Sequence, residues 1–148
     1  MSRVFEDEFM DVQTDLLSLC LELAGKKRVD RIYVYGSIEK KSISFNTFYA
    51  TGDDIATASG LAKNLNIIKE FLRIGTHDLM LIPDICTKYN RPVPTEIKLI
   101  YDCNKKSLDA KYQYDPVCTE ETGLMPAQVF LNWKEEIAES RRSDENGI

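Results

Sequence analysis

The stretch that decides the fold is Arg31-Ile32-Tyr33-Val34-Tyr35-Gly36, followed after a polar turn around Glu39-Lys40-Lys41 by Ser42-Ile43-Ser44-Phe45-Asn46-Thr47-Phe48-Tyr49. The first run is dense in β-branched and aromatic residues, which suit a pleated, half-buried surface. In the second, Ile43, Phe45, Thr47 and Tyr49 alternate with Ser44, Asn46 and Phe48. A period of two joined by a short polar link predicts an antiparallel hairpin, with Gly36 ending or bulging its first strand. Tyr33 and Tyr35 fall on one side of that strand, Ile32 and Val34 on the other. The sequence leaves two readings of the tyrosines open: an exposed aromatic binding face, or rings packed under helix edges with wet hydroxyls.

Toward the C-terminus, Arg91-Pro92-Val93-Pro94 is a stiff, extended link that leads into a strand, Glu96-Ile97-Lys98-Leu99-Ile100-Tyr101. After a turn at Asn104-Lys105-Lys106-Ser107, Leu108, Ala110, Tyr112 and Tyr114 share one face of a returning strand. Asp109, Lys111 and Gln113 share the other. Asp115-Pro116 ends this second hairpin.

Helices fill the rest. Phe5, Phe9, Val12, Leu16, Leu19, Cys20 and Leu23 recur at spacings of three and four and predict an amphipathic helix over 4–24, with Ser2 as N-cap and Gly25 as its stop. Thr51-Gly52-Asp53-Asp54 reads as a turn. Leu61, Leu65, Ile68, Phe71 and Leu72 predict a helix over 60–74. Gly75 interrupts it, and a second helical piece follows over 77–89, with Pro83 either near its first turn or kinking it. Pro126 suits the first turn of a last helix, whose apolar face is Val129, Phe130, Trp133 and Ile137; Trp133 and the Leu16 face belong to the core. The order helix, hairpin, helices, hairpin, helix predicts one α+β domain over 1–148. In it, two hairpins join into a four-stranded antiparallel sheet covered on one face by helices, and 141–148 form a polar, disordered tail.

The charge is unevenly placed. The chain carries a net charge of -5, and its first 25 residues hold Glu6, Asp7, Glu8, Asp11, Asp15 and Glu22 against Arg3 alone. Six acids against one base account for the whole net charge. An amphipathic helix needs a polar outer side, and acids are common there. That does not explain the near absence of cations, which would add favourable pairs at a spacing of four; Asp11 and Asp15 instead place like charges at that spacing. A one-sided acidic face suits a cationic partner, provided the protein's own lysines and arginines do not neutralise it. These six acids, with Asp53 and Asp54 as a second patch, are the candidate partner-binding residues.

Bond-making machinery is not evident. His77 is the only histidine, so a histidine-based triad would rest on it alone. Cys20, Cys86, Cys103 and Cys118 show no Cys-x-x-Cys spacing, which argues against a zinc site and fits reduced thiols. Asp53 and Asp54 with Asp78 or Asp84 are too few ligands to predict a metal, and Gly52 and Gly60 form no phosphate loop. Glu120-Glu121 and Glu135-Glu136 are adjacent acids without implied burial. No cofactor or metal is expected. A pI near 5.0 argues against direct nucleic-acid binding, and Lys26-Lys27-Arg28 follow a helix end, where cations favour the dipole. No apolar stretch approaches a membrane span, and no secretory signal is visible, so the expected location is cytoplasmic.

The two hairpins resemble those of YezG-like proteins: Arg31 to Gly36 with Ser42 to Tyr49, and Glu96 to Asp102 with Leu108 to Asp115, ending in Tyr112-Gln113-Tyr114-Asp115. Trp133 stands where that family has its late tryptophan. The middle helices and the segment from Cys118 to Pro126 lie outside the resemblance. It implies a bacterial antitoxin, an immunity protein that binds a cognate nuclease toxin stoichiometrically and is not an enzyme. The competing classes are a small ligand-binding domain or enzyme with a tyrosine-lined pocket, and a regulatory adaptor.

Overall fold

The hairpin strand is apolar at nearly every position, not at alternate ones, and the fold follows from that. The computed structural model describes residues 4–39 and 42–146; Ser2, Arg3 and the Lys40-Lys41 turn lie outside them. Strands β1 (Arg31–Glu39), β2 (Ser42–Thr51), β3 (Asp54–Thr57), β4 (Glu96–Asp102) and β5 (Ser107–Gln113) form one sheet in the order β3-β2-β1-β4-β5. Every neighbouring pair is antiparallel. The predicted α+β class and both hairpins are present, but the sheet has five strands and not four. The added strand begins at Asp54, which the sequence reading left in a turn. Gly52 takes a positive φ of 63°, so the chain reverses within Gly52-Asp53 and sets Ile55 opposite Ala50.

Helices cover both faces of the sheet, which corrects the expectation of one. On one face α1 (Phe5–Ala24), α3 (Leu65–Leu79) and α4 (Leu81–Lys88) pack over Ile32, Val34, Phe45, Tyr49, Ile97 and Leu99. On the other, α5 (Pro126–Asn146) lays Val129, Phe130 and Trp133 on Tyr33, Tyr35 and Phe48. Both tyrosines are therefore buried between layers, and neither forms an exposed aromatic face. The Tyr33 ring stacks on Phe48 at 4.5 Å, and Trp133 meets both edge-on at 5.6 and 5.1 Å. β1 is the central strand, and a strand covered on both sides needs apolar residues at successive positions.

Two glycines read as interruptions are close approaches instead. β1 runs unbroken through Gly36, where a Cβ would stand 2.9 Å from Leu79 Cδ1. Gly75 lies inside α3, against the ring of Phe45 on β2. The helix ends at Leu79 rather than at Gly75, and α4 starts one residue beyond Met80, so that Pro83 falls in its first turn. The start of α3 is set by Asn64, whose Oδ1 accepts from the N–H of Asn66 at 2.9 Å and of Ile67 at 3.3 Å; a short α2 (Ala58–Leu61) precedes it.

Long-range hydrogen bonds tie the layers to the sheet. The Tyr49 hydroxyl donates to the carbonyl of Cys20 in α1 at 2.8 Å, and the Tyr112 hydroxyl donates to Gln13 Oε1 at 3.0 Å. The Cys20 thiol, fully buried beside them, is pushed up to about 12 by burial, so it stays protonated and inert. Arg141 anchors α5, donating to the Gly52 carbonyl at 2.6 Å and standing 3.5 Å from Asp30. The segment read as a tail from 141 is helical through Asn146.

Candidate functional site

Burying one stripe of α1 fixes where its acids point. Phe9, Val12, Gln13, Leu16, Leu17, Cys20 and Ala24 face inward; Glu6, Asp7, Asp11, Asp15 and Glu22 are exposed, and Glu8 is half-buried. Among the described residues, Lys88 and Arg91 answer Glu8 and Glu6. Lys88 of α4 stands 3.2 Å from Glu8, which also accepts from the Tyr89 hydroxyl. Arg91 reaches Glu6 at 3.5 Å while its guanidinium covers the Phe5 ring at 4.7 Å. The helix start is thus stitched to the end of α4 by two pairs whose cations are exposed, so each adds little to stability. The expectation of an open acidic row does not hold for Glu6 and Glu8.

Further along, the acids meet α3. The charge of Asp15 bears on Asp78, in the last turn of that helix. Burial first, and Asp15 second, push the Asp78 carboxyl above its usual range, against a smaller pull from His77. A carboxylate near a helix C-terminus also opposes the helix dipole. The same two helices, α1 and α3, form a groove of about 400 Å3. Leu19, Leu23, Ile67, Phe71 and Ile74 line it, with exposed Glu22 and Glu70 among its walls. Glu70 accepts from Arg73 at 2.5 and 3.0 Å, which holds its carboxyl below the usual range. An apolar floor between carboxylates from two helices can seat a segment that carries apolar and cationic side chains together.

The α3 side of this groove was not drawn from the sequence. Its signal was Ile67, an isoleucine off the apolar stripe of its own helix, which is 50% exposed. Asp53 and Asp54 do not join it. They sit at the β2–β3 turn, where Asp53 lines a hollow with Arg31, Tyr33 and Arg141 on the α5 side.

Asp78 allows a direct check of this geometry. Its pKa is raised in the fold, so ionisation costs stability at neutral pH. The cost is absent below about 3.8, where the carboxyl is protonated in both folded and unfolded chains. Asp78→Asn should raise the melting temperature by about 1–2 °C at pH 7, and the gain should shrink to nothing as pH falls through that range in thermal melts.

Other chemistry finds little support. Exposed His77 borders a hollow walled by Lys69, Leu72, Arg73, Thr76 and Met80, without a carboxylate. Among the described residues no group of three or more His, Cys, Asp and Glu side chains converges on one point. Under the segment 117–125, the Tyr35 hydroxyl is buried; burial first and the Glu96 charge second push its pKa up, so it remains a neutral phenol. Tyr112 and Tyr114 do line a hollow of about 300 Å3 with Phe5, Phe9 and Arg91. Among the described residues no helix is long and apolar enough to cross a membrane.

The chain matches no protein-family model, and no curated protein matches it significantly.

Proposed function

We propose that this chain is a YezG-like immunity protein that binds and neutralises a cognate toxin, a nuclease, in the cytoplasm. The hairpin sequences and Trp133 motivate the family. The observation that carries the contact surface is the α1–α3 groove, where Glu22 and Glu70 stand among the walls of an apolar floor, with Asp15 and Asp78 on the same two helices. A nuclease domain needs lysines and arginines around its cleft to hold phosphate. Such a surface is drawn to an acidic face by fast, salt-sensitive encounter. Asp15 and Asp78 already repel each other, so a partner cation near them relieves a cost the free protein carries. Glu6 and Glu8, held by Arg91 and Lys88, play a smaller part than their sequence position suggested. Asp53, which shares a hollow with Arg31 and Arg141, and Asp54 are left outside the contact.

The test is co-expression with a candidate toxin gene adjacent to this one in the genome, scored as rescue of growth, together with binding of the purified toxin domain. Asp15→Lys with Glu22→Lys should weaken binding by about tenfold or more at low salt and flatten its salt dependence. Glu135→Lys with Glu136→Lys on the solvent side of α5 should leave it unchanged. Equal effects from the two pairs would place the contact elsewhere; no binding and no rescue would remove the antitoxin reading itself.

A further inference from the structure

The two edges of the sheet differ. β3 is four residues long and continues directly into α2, a short edge of the kind that resists further pairing. β5 is seven residues long. After Gln113 the chain turns back over the sheet: Thr95 Oγ1 donates to the carbonyls of Gln113 and Asp115, and the N–H groups of Val117 and Cys118 donate to Glu39 at 3.0 and 2.9 Å. The connection leaves across β4 and β1, so β5 is open to the side.

The backbone groups on that side follow from alternation along the ladder. Between β1 and β4, the N–H of Ile38 donates to the Thr95 carbonyl at 2.8 Å, and the N–H of Cys103 to the Asp30 carbonyl at 2.9 Å. Both bonds continue the β1–β4 register, so the odd-numbered residues of β4 address β1 and the even-numbered ones address β5. The β5 partners of those even residues are Ser107, Asp109, Lys111 and Gln113. The outward amides are therefore those of Leu108, Ala110 and Tyr112.

The sequence of this edge complements itself. In an antiparallel pair of β5 strands related by a two-fold axis at Ala110, Ala110 meets Ala110. Asp109 of each copy stands opposite Lys111 of the other, Leu108 opposite Tyr112, and Ser107 opposite Gln113. The outward amides fall at the hydrogen-bonded positions. The Asp109–Lys111 pairs fall at the non-bonded positions, where facing side chains come closest. Within one copy Lys111 stands opposite Lys98, so the second copy gives it the counter-charge it lacks across β4. Tyr112, 37% exposed, and Met10, 48% exposed, border the edge on the α1 side and would be partly covered.

We infer that the β5 edge is a self-association surface, on which two copies of this chain join their sheets into one ten-stranded sheet through antiparallel β5–β5 pairing centred on Ala110. One strand a side buries less than a standard interface, so the dimer is weak and exchanges readily. The inference is independent of the toxin contact on α1 and α3.

Sedimentation equilibrium from about 1 to 500 μM, a range spanning weak association, tests it on the full chain. The wild type should show a monomer–dimer equilibrium. Asp109→Lys alone or Lys111→Asp alone sets like charges opposite each other twice and should weaken association about tenfold or more. The double exchange, Asp109→Lys with Lys111→Asp, should restore it. Ala110→Pro removes the central outward N–H and should abolish association, because proline is tolerated on a strand edge whose N–H faces solvent; thermal melts report whether that variant folds, and the charge series decides if it does not. A wild-type monomer throughout, or a dimer indifferent to the single reversals or not rescued by the exchange, overturns the proposal. So does a chain that stays monomeric alone and pairs β5 only with its toxin.

Discussion

Replacing Trp133 by alanine should lower the unfolding free energy by about 3–5 kcal/mol, the range for truncating a buried aromatic. The residue is 6% exposed and bridges α5 to the sheet, with its ring edge-on to Tyr33 and Phe48 and the Lys98 ammonium 5.2 Å from its centre. Nothing nearby can collapse into the gap cheaply, because both stacked partners are fixed by the ladder between β1 and β2. Urea denaturation followed by circular dichroism gives the value. The loss should appear in the midpoint with little change in slope. A change below about 1 kcal/mol would mean that α5 does not dock through this residue.

Gly75→Ala should also destabilise, by about 1–3 kcal/mol, the usual cost of overpacking a core. This reverses the ordinary effect, since alanine in a helix interior favours the helix by about 1 kcal/mol over glycine. Here a Cβ would stand 2.2 Å from Phe45 Cε2, with two further ring atoms at 2.4 and 2.7 Å. Phe45 is 4% exposed and Phe71 of α3 lies 5.3 Å from its ring, which limits how far the ring can move aside. Combining Gly75→Ala with Phe45→Leu should recover part of the loss, a coupling readable in a double-mutant cycle of urea midpoints. A stabilised Gly75→Ala protein would refute the close packing of α3 on β2.

Much of the fold was legible because hydrophobic period reports local structure. Both hairpins, the α1 stripe and the Val129-Phe130-Trp133 face could be read from spacing alone. β3 could not, since Asp54-Ile55-Ala56-Thr57 is short and holds two residues that are poor in strands. The second covered face had left a trace: Ile32, Tyr33, Val34 and Tyr35 are apolar on both sides of the pleat, as in a strand enclosed between layers. Gly75 misled because propensity measures the cost of glycine in a helix, not what stands opposite it. The candidate site was half visible. The acids of α1 are a matter of composition, but their answers from Lys88 and Arg91, and the groove wall from Ile67 and Ile74, come from segments far along the chain. No pattern within the helix could show them.

The central position of β1 has a kinetic consequence. β1 and β2 are neighbours in sequence as well as in the sheet, and so are β4 and β5, so each hairpin can form locally. The seam that unites them, β1 against β4, closes only after α2, α3 and α4 have been threaded between. Loop entropy predicts that closure to be the slow step of folding. Until it occurs, the nascent chain presents the two interior margins that the finished molecule hides, and it is these, more than any surface of the folded state, that a chaperone would have to shield.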